Sequence, residues 1–374
     1  MRVLLAGTHA AAGQYILALL PEIERRGHHG IVTLAGAAAE MLDGQVTFTP
    51  AESMTADELL ATIKPDHFCC CITGVVAEDP WEKQLAEEAH RRGIIWTGHE
   101  DMELTATLEQ HRPLWRSLNP ARIFAAEQTS VQGLTELGVL AEKIMVVGNP
   151  TWDKLADFDG LAARAKIRQQ LQLRNGERLI VWLAPKTEIR AREEWELILG
   201  TLNWVAGLDM RLTLVAYFHP GCPDWKGTAT ADKPHGLYQK DLDNAHFRTL
   251  AGSILNGKEF NQTAVLASAD LVISFASTET ITTAMLGVPT VRPFTPTNLA
   301  YIAGQNRPQP HLFGPVATGC QIAVRSPEEW RDVCLKLLQP SSLLLGNLRT
   351  NCALHYPRGG GYAKRIVQEI ENLH

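Results

Sequence analysis

The chain has 374 residues, 45% hydrophobic, 20% charged and 7% aromatic, the balance of a globular protein rather than a disordered or fibrous one. Its 35 Lys and Arg stand against 41 Asp and Glu, a formal net charge of -6, which excludes a broad phosphate-neutralising surface and makes nucleic acid a poor partner. No apolar run approaches the roughly 20 residues that span a bilayer, and Met1–Gly7 has no leader features, so we expect no transmembrane segment and a cytoplasmic location.

Short apolar runs alternate with helix-like segments from the first residue, the pattern of βαβ units on a parallel sheet. The reading in chain order is a strand at Arg2–Ala6, a turn at Gly7–His9, a helix over Gln14–Arg26, and strands at Gly30–Leu34, His67–Thr73, Gly93–Thr97, Arg122–Ala125 and Lys143–Val147. Helices are predicted at Pro80–Arg92 and Thr129–Leu137. The seven cysteines have no paired CxxC spacing, which argues against a disulfide framework or a structural zinc site. Cys69, Cys70 and Cys71 read as packing residues of a strand buried on both faces.

Asp153–Arg178 reads as helix plus connector at a domain boundary. A second series follows, with strands at Leu179–Leu183, Leu212–Tyr217, Phe247–Leu250, Leu271–Ser274 and Thr290–Val291, and helices at Ala191–Ala206, Asn261–Ala269 and Thr280–Leu286. Pro220–Asn244 lacks apolar periodicity and is expected as a surface loop, and Gly361–Leu373 as a closing helix. The expected architecture is α/β: a Rossmann-like domain over 1–160, a second over 161–355, and a C-terminal helix within 356–374 crossing back to the first domain. No internal sequence repeat is visible. Ligands of such folds bind at the carboxyl ends of the strands, so tandem domains should face a cleft.

The most informative strand-to-helix turn is Asp270–Thr280, followed by Ala284–Val291. Small hydroxyl residues entering a helix N-terminus place amide and hydroxyl donors where a phosphate can sit against the helix dipole. Glu279 adds an acceptor for sugar hydroxyls. Capping by Ser277 or Thr278 is the plainer alternative. Several other patterns fail: Gly252–Lys258 spells GxxxxGK but Glu259 follows it, the dinucleotide-binding GxGxxG is missing, Glu103 stands where HExxH needs its second His, and no GxSxG occurs.

Four segments, Val146–Asp153, Tyr217–Pro220, Ser277–Val291 and Gly359–Val367, resemble in kind and order those of the GT-B glycosyltransferases and the related UDP-N-acetylglucosamine 2-epimerases. The resemblance implies a GT-B-like fold and a nucleoside diphosphate sugar, UDP favoured, held by the second domain, with an unidentified acceptor at the first. It implies metal-independent chemistry without a cofactor. Ser277, Thr278 and Glu279 would contact phosphate and ribose, His219 would line the donor site, and Lys186 or Arg190 would stabilise the leaving diphosphate. The loop holding Leu255 would contact the nucleobase. A transferase needs one general base, and the first domain offers His9, Glu78, Asp79, His99, Glu100 and Asp101, each of which could equally be a polar turn or cap residue.

Trp96–Met102 and Gly7–Ala11 depart from the acid/base segments of the epimerases, which turns the expectation toward glycosyl transfer. A 2-epimerase or hydrolase of the same fold, or a non-catalytic sugar-nucleotide-binding subunit, stands as the alternative. A homo-oligomer is left open.

Overall fold

The computed structural model describes residues 1–72, 81–101, 106–107, 111–185, 187–217, 244–251, 261–304 and 314–374. Two compact units emerge: one built on Met1–Ala156 and closed by Gly359–His374, the other built on Asp157–Ala303 and Pro315–Arg358.

The first unit carries seven parallel strands: β1 (Arg2–Gly7), β2 (His29–Leu34), β3 (Thr49–Pro50), β4 (His67–Ile72), β5 (Ile95–Glu100), β6 (Arg122–Ala125) and β7 (Ile144–Val146). Their spatial order is β3-β2-β1-β4-β5-β6-β7, so the chain reverses its direction of winding between β1 and β4. In register, Leu5 of β1 stands between Val32 and Cys69. Alternate side chains enter opposite layers: Leu4, Ala6 and Cys70 pack with Leu85, Trp96 and Ile123, whereas Val3, Leu5, Cys69 and Cys71 pack with Tyr15, Ile16 and Leu19. Double-sided burial explains the unbroken apolar runs and the cysteine triplet. Burial pushes the Cys69 thiol up to about 12, which keeps it protonated and inert.

The second unit repeats the plan with β8 (Arg178–Leu183), β9 (Leu212–Tyr217), β10 (Arg248–Ala251), β11 (Leu271–Ile273), β12 (Thr290–Pro293) and β13 (Ile322–Val324), ordered β10-β9-β8-β11-β12-β13 and all parallel. Trp182 of β8 pairs with Ala216 on one side and Ile273 on the other. Two parallel sheets, each flanked by helices and wound in the same order, are two Rossmann-like domains.

The strand readings stand within a few residues, with one difference that matters for the site. β5 continues past Thr97 to Glu100 because His99 and Glu100, polar in sequence, are fully buried and hydrogen-bonded. Helices at Gly36–Leu42, Ala56–Ile63, Pro296–Gly304, Pro327–Leu338 and Leu343–His355 were not foreseen, nor were β3 and β13. Most of the expected surface loop, up to Asp243, lies outside the described residues. No helix among the described residues is long and apolar enough to cross a membrane.

The closing helix spans Tyr362–Glu371 and buries Ala363, Ile366, Val367 and Ile370 in the first unit, against the layer that holds Tyr15 and Ile16. Two of the four resemblance segments make this joint. The Asp153 carboxylate accepts the N–H groups of Tyr362 (2.8 Å) and Ala363 (3.0 Å), capping the helix. Gly148 has a φ of +83° and faces the Tyr362 ring so closely that a Cβ would lie 2.3 Å from it. Trp152 meets the same ring edge-on at 5.6 Å, and Arg365 covers it while donating to the Val147 carbonyl at 3.2 Å.

Candidate functional site

In the second unit the candidate site grows from the end of β11. Ser274 and Phe275 are buried, Ala276 and Thr278 are exposed, and a short helix begins at Glu279. The Ser277 hydroxyl accepts the Glu279 N–H at 3.3 Å, and the Ser277 carbonyl accepts both the N–H (3.0 Å) and the hydroxyl (2.6 Å) of Thr280. Ser277 thus closes a local turn just ahead of the helix, whereas Thr278, at the N-cap position, makes no side-chain cap. Among the described residues, Ser274 Oγ and Glu279 Oε2 are buried polar atoms without a hydrogen-bond partner.

Beneath the turn lies Arg292 of β12, fully buried. Its guanidinium donates to Gln321 Oε1 (2.6 Å), the Phe275 carbonyl (3.1 Å) and Thr280 Oγ1 (2.9 Å). Gln321 in turn donates to the Thr280 carbonyl at 2.6 Å. Arg292 and Gln321 had no place in the sequence reading; a charged residue inside the apolar run Thr290–Pro293 was the available signal for Arg292.

Beside the turn, the helix Glu188–Ala206 after β8 presents Arg190, which donates to Thr187 Oγ1 at 2.9 Å and stacks on the Tyr301 ring at 4.1 Å. Tyr301 meets Phe275 edge-on at 6.4 Å, so Arg190 and the Ser274–Thr280 turn share one edge of this unit. One helical turn on, the fully buried Glu194 accepts from Trp182 and Asn298, each at 2.8 Å, and desolvation lifts its carboxyl to about 7. A cavity of about 430 Å³ opens along the same helix, lined among others by Glu193, Thr201, Phe294, Arg325 and Trp330. Lys186, His219 and Leu255 lie outside the described residues.

The first unit treats its polar residues differently. In the β1 turn, Glu82 accepts both the N–H of Thr8 (2.5 Å) and its hydroxyl, a brace that the sequence did not signal. His9 follows, half-buried, and its Nε2 has no partner among the described residues. His99 sits in a chain of hydrogen bonds: Tyr15 hydroxyl to Nδ1 at 3.0 Å, Nε2 to Thr97 Oγ1 at 2.7 Å, and Thr97 Oγ1 to His67 Nε2 at 2.9 Å. Desolvation drives the His99 imidazole down to about 3 and His67 well below the usual range, so both are neutral near pH 7.

Glu100 accepts the N–H groups of Ala106 (3.1 Å) and Ala126 (2.9 Å), and burial raises its carboxyl to about 7. Asp101 is almost enclosed, and its carbonyl accepts from Asn149, the central residue of the Val146–Asp153 segment. Glu78 and Asp79 lie outside the described residues. Among those described, no three His, Cys, Asp or Glu side chains gather where a metal ion could be held.

No family signature matches the chain, and no curated protein is similar to it in sequence. Solved structures are similar over the full length. A UDP-GlcNAc 2-epimerase from Neisseria meningitidis, bound to UDP-GlcNAc, is 14% identical with a TM-score of 0.66 and covers 100% of both chains. Anabaena Alr3699/HepE, in complex with UDP and glucose, is 13% identical with a TM-score of 0.64, covering 99% of this chain and 98% of its own. A glycosyltransferase from Rickettsia africae is 11% identical with a TM-score of 0.64, covering 100% and 98%. The chain therefore has the GT-B-like fold found among UDP-sugar epimerases and glycosyltransferases.

Proposed function

We propose that the protein binds a UDP-linked sugar through the Ser274–Glu279 turn and changes that sugar itself, as a sugar-nucleotide 2-epimerase or hydrolase. The observation that carries this reading is the turn: exposed residues at Ala276 and Thr278, a hydroxyl at Ser277, and a buried cation tied directly behind it. Such an edge suits a diphosphate, because amide dipoles and a fixed cation meet its charge without reorganising. Support for UDP comes from the full-length likeness to proteins solved with UDP or UDP-GlcNAc.

The preference for glycosyl transfer drawn from the departures in the first domain gives way here. The similarity to a 2-epimerase extends over both chains end to end, so altered first-domain residues are no argument against chemistry on the donor alone. In this reading Arg190 and Lys186 meet the charge of the leaving diphosphate, Glu279 meets the ribose, His219 lines the donor site, and the loop of Leu255 meets the base. His9 is assigned the proton-transfer role, being the first-unit candidate whose ring carries a buried nitrogen without a partner among the described residues. Transfer to an acceptor is the second reading, favoured by the similar fold of the Rickettsia glycosyltransferase.

Incubation of UDP-GlcNAc with the protein alone, followed by NMR in deuterated water, separates the two. A new epimer carrying deuterium at C2, or released UDP with free sugar, supports the first reading. A donor left intact until an acceptor is added supports transfer. Failure of the protein to bind any UDP-sugar in calorimetry removes both. His9→Gln is expected to lower kcat by about 100-fold with KM changed little.

A further inference from the structure

We infer that Arg292 is a positioning residue: a buried clamp that presets the Phe275–Thr280 turn for a diphosphate, an inference resting on the reading that this turn holds the donor. Burying a guanidinium is costly unless its donors are well placed, and here they are placed on one short segment. One N–H₂ group reaches the carbonyl of Phe275 at 3.1 Å and the other the hydroxyl of Thr280 at 2.9 Å. The two ends of the turn are thereby fastened to a single rigid plane. Gln321 completes the arrangement, accepting from Arg292 Nε at 2.6 Å and donating to the Thr280 carbonyl at 2.6 Å. Thr280 passes the constraint on by donating to the Ser277 carbonyl at 2.6 Å.

What remains between the fastened ends is the stretch that faces solvent, Ala276 to Thr278. With Phe275 and Thr280 immobilised, its amides hold one arrangement before any anion arrives, which is the condition for strong binding at low ordering cost. The guanidinium is permanently charged, and its hydrogen bonds put that charge directly behind the amides. Lysine would supply the charge without the planar fork. A residue that served only core packing would affect nucleoside and nucleotide binding alike, whereas the clamp acts on the phosphate end.

The test is calorimetry with UDP, uridine and inorganic pyrophosphate on the full chain. Arg292→Gln is expected to weaken UDP by about 30-fold or more and uridine by less than about threefold. Arg292→Lys should fall between wild type and Arg292→Gln, and Thr280→Val, which keeps the charge and the side-chain volume, should weaken UDP about fivefold. Should Arg292→Gln not fold, the Lys and Thr280→Val variants decide on the same split. Equal losses for UDP and uridine, or unchanged UDP binding in the variants, would overturn the clamp while leaving the functional reading intact. Wild-type protein that ignores UDP but binds pyrophosphate in an Arg292-dependent way would leave the clamp and remove the nucleotide reading. Binding of neither removes both.

Discussion

At the end of β5 in the first unit, Glu100 gives its two oxygens to the amides of Ala106 and Ala126, and His99 is held between Tyr15 and Thr97. At the end of β11 in the second, the buried groups Arg292 and Gln321 lie under a turn whose Ala276 and Thr278 are exposed. The two sheets share one strand order, in which β11 stands at the reversal of winding beside β8 and β5 one strand further out, between β4 and β6. In the first unit polar side chains consume the backbone donors of neighbouring loops; in the second they grip carbonyls and hydroxyls from below and take none of the turn's amides. Topology marks both strand ends as suitable for a ligand, and the direction of these hydrogen bonds separates them.

Mild acid gives the largest break between the regions. The folded-state pKa of Glu194 lies above its unfolded value, so the native state keeps a proton that the unfolded chain releases between pH 4.5 and about 7, and stability falls as pH rises through that window. Going from pH 8 to 4.5, the second unit should gain on the order of 3 kcal/mol from this group. The first unit gains similarly from Glu100. It also loses on the order of 3 kcal/mol from His99, whose depressed folded pKa leaves the unfolded chain taking up a proton below 6.5 that the native state refuses, and His67 acts in the same direction. Hydrogen exchange resolved by unit should therefore show the first unit opening more readily than the second at pH 4.5, and equal responses would contradict the contrast.

A smaller effect sharpens it. Glu194→Gln should flatten the pH response of the second unit by on the order of 3 kcal/mol between pH 8 and 4.5 in chemical denaturation and leave that of the first unchanged. Smallest is Asp153→Ala, which removes the cap of the Tyr362–Glu371 helix and should cost about 1–2 kcal/mol. Amide protection should fall in that helix and in the first unit alone.

The legible part of this molecule was the part governed by burial on both faces of a sheet. Val3 to Ala6 and Ile180 to Leu183 announce themselves because every side chain is apolar. β5 was cut short at Thr97 because His99 and Glu100 are polar, and only tertiary contacts made them acceptable in a buried strand. Local signals for two missed helices were present: Thr55 with Glu58, which form a reciprocal cap, and Ser326-Pro327-Glu328-Glu329, where the Ser326 hydroxyl accepts the Glu329 N–H. β13 offered less, being three residues long and only partly buried. The duplicated strand order was invisible because it resides in chain path and not in side-chain identity. Ser277, Thr278, Glu279 and Arg190 were singled out because they follow strands at strand-to-helix turns, whereas Arg292 and Gln321 lie beneath the turn and leave no motif.

The return of the closing helix to the first unit has a consequence for synthesis. Ile366, Val367 and Ile370 complete a layer begun by Val3 and Leu5, so a nascent chain leaving the ribosome cannot finish covering that face of its first sheet until the whole intervening unit has been translated. During that interval the surface awaiting those three residues is an exposed apolar strip, a natural foothold for a chaperone.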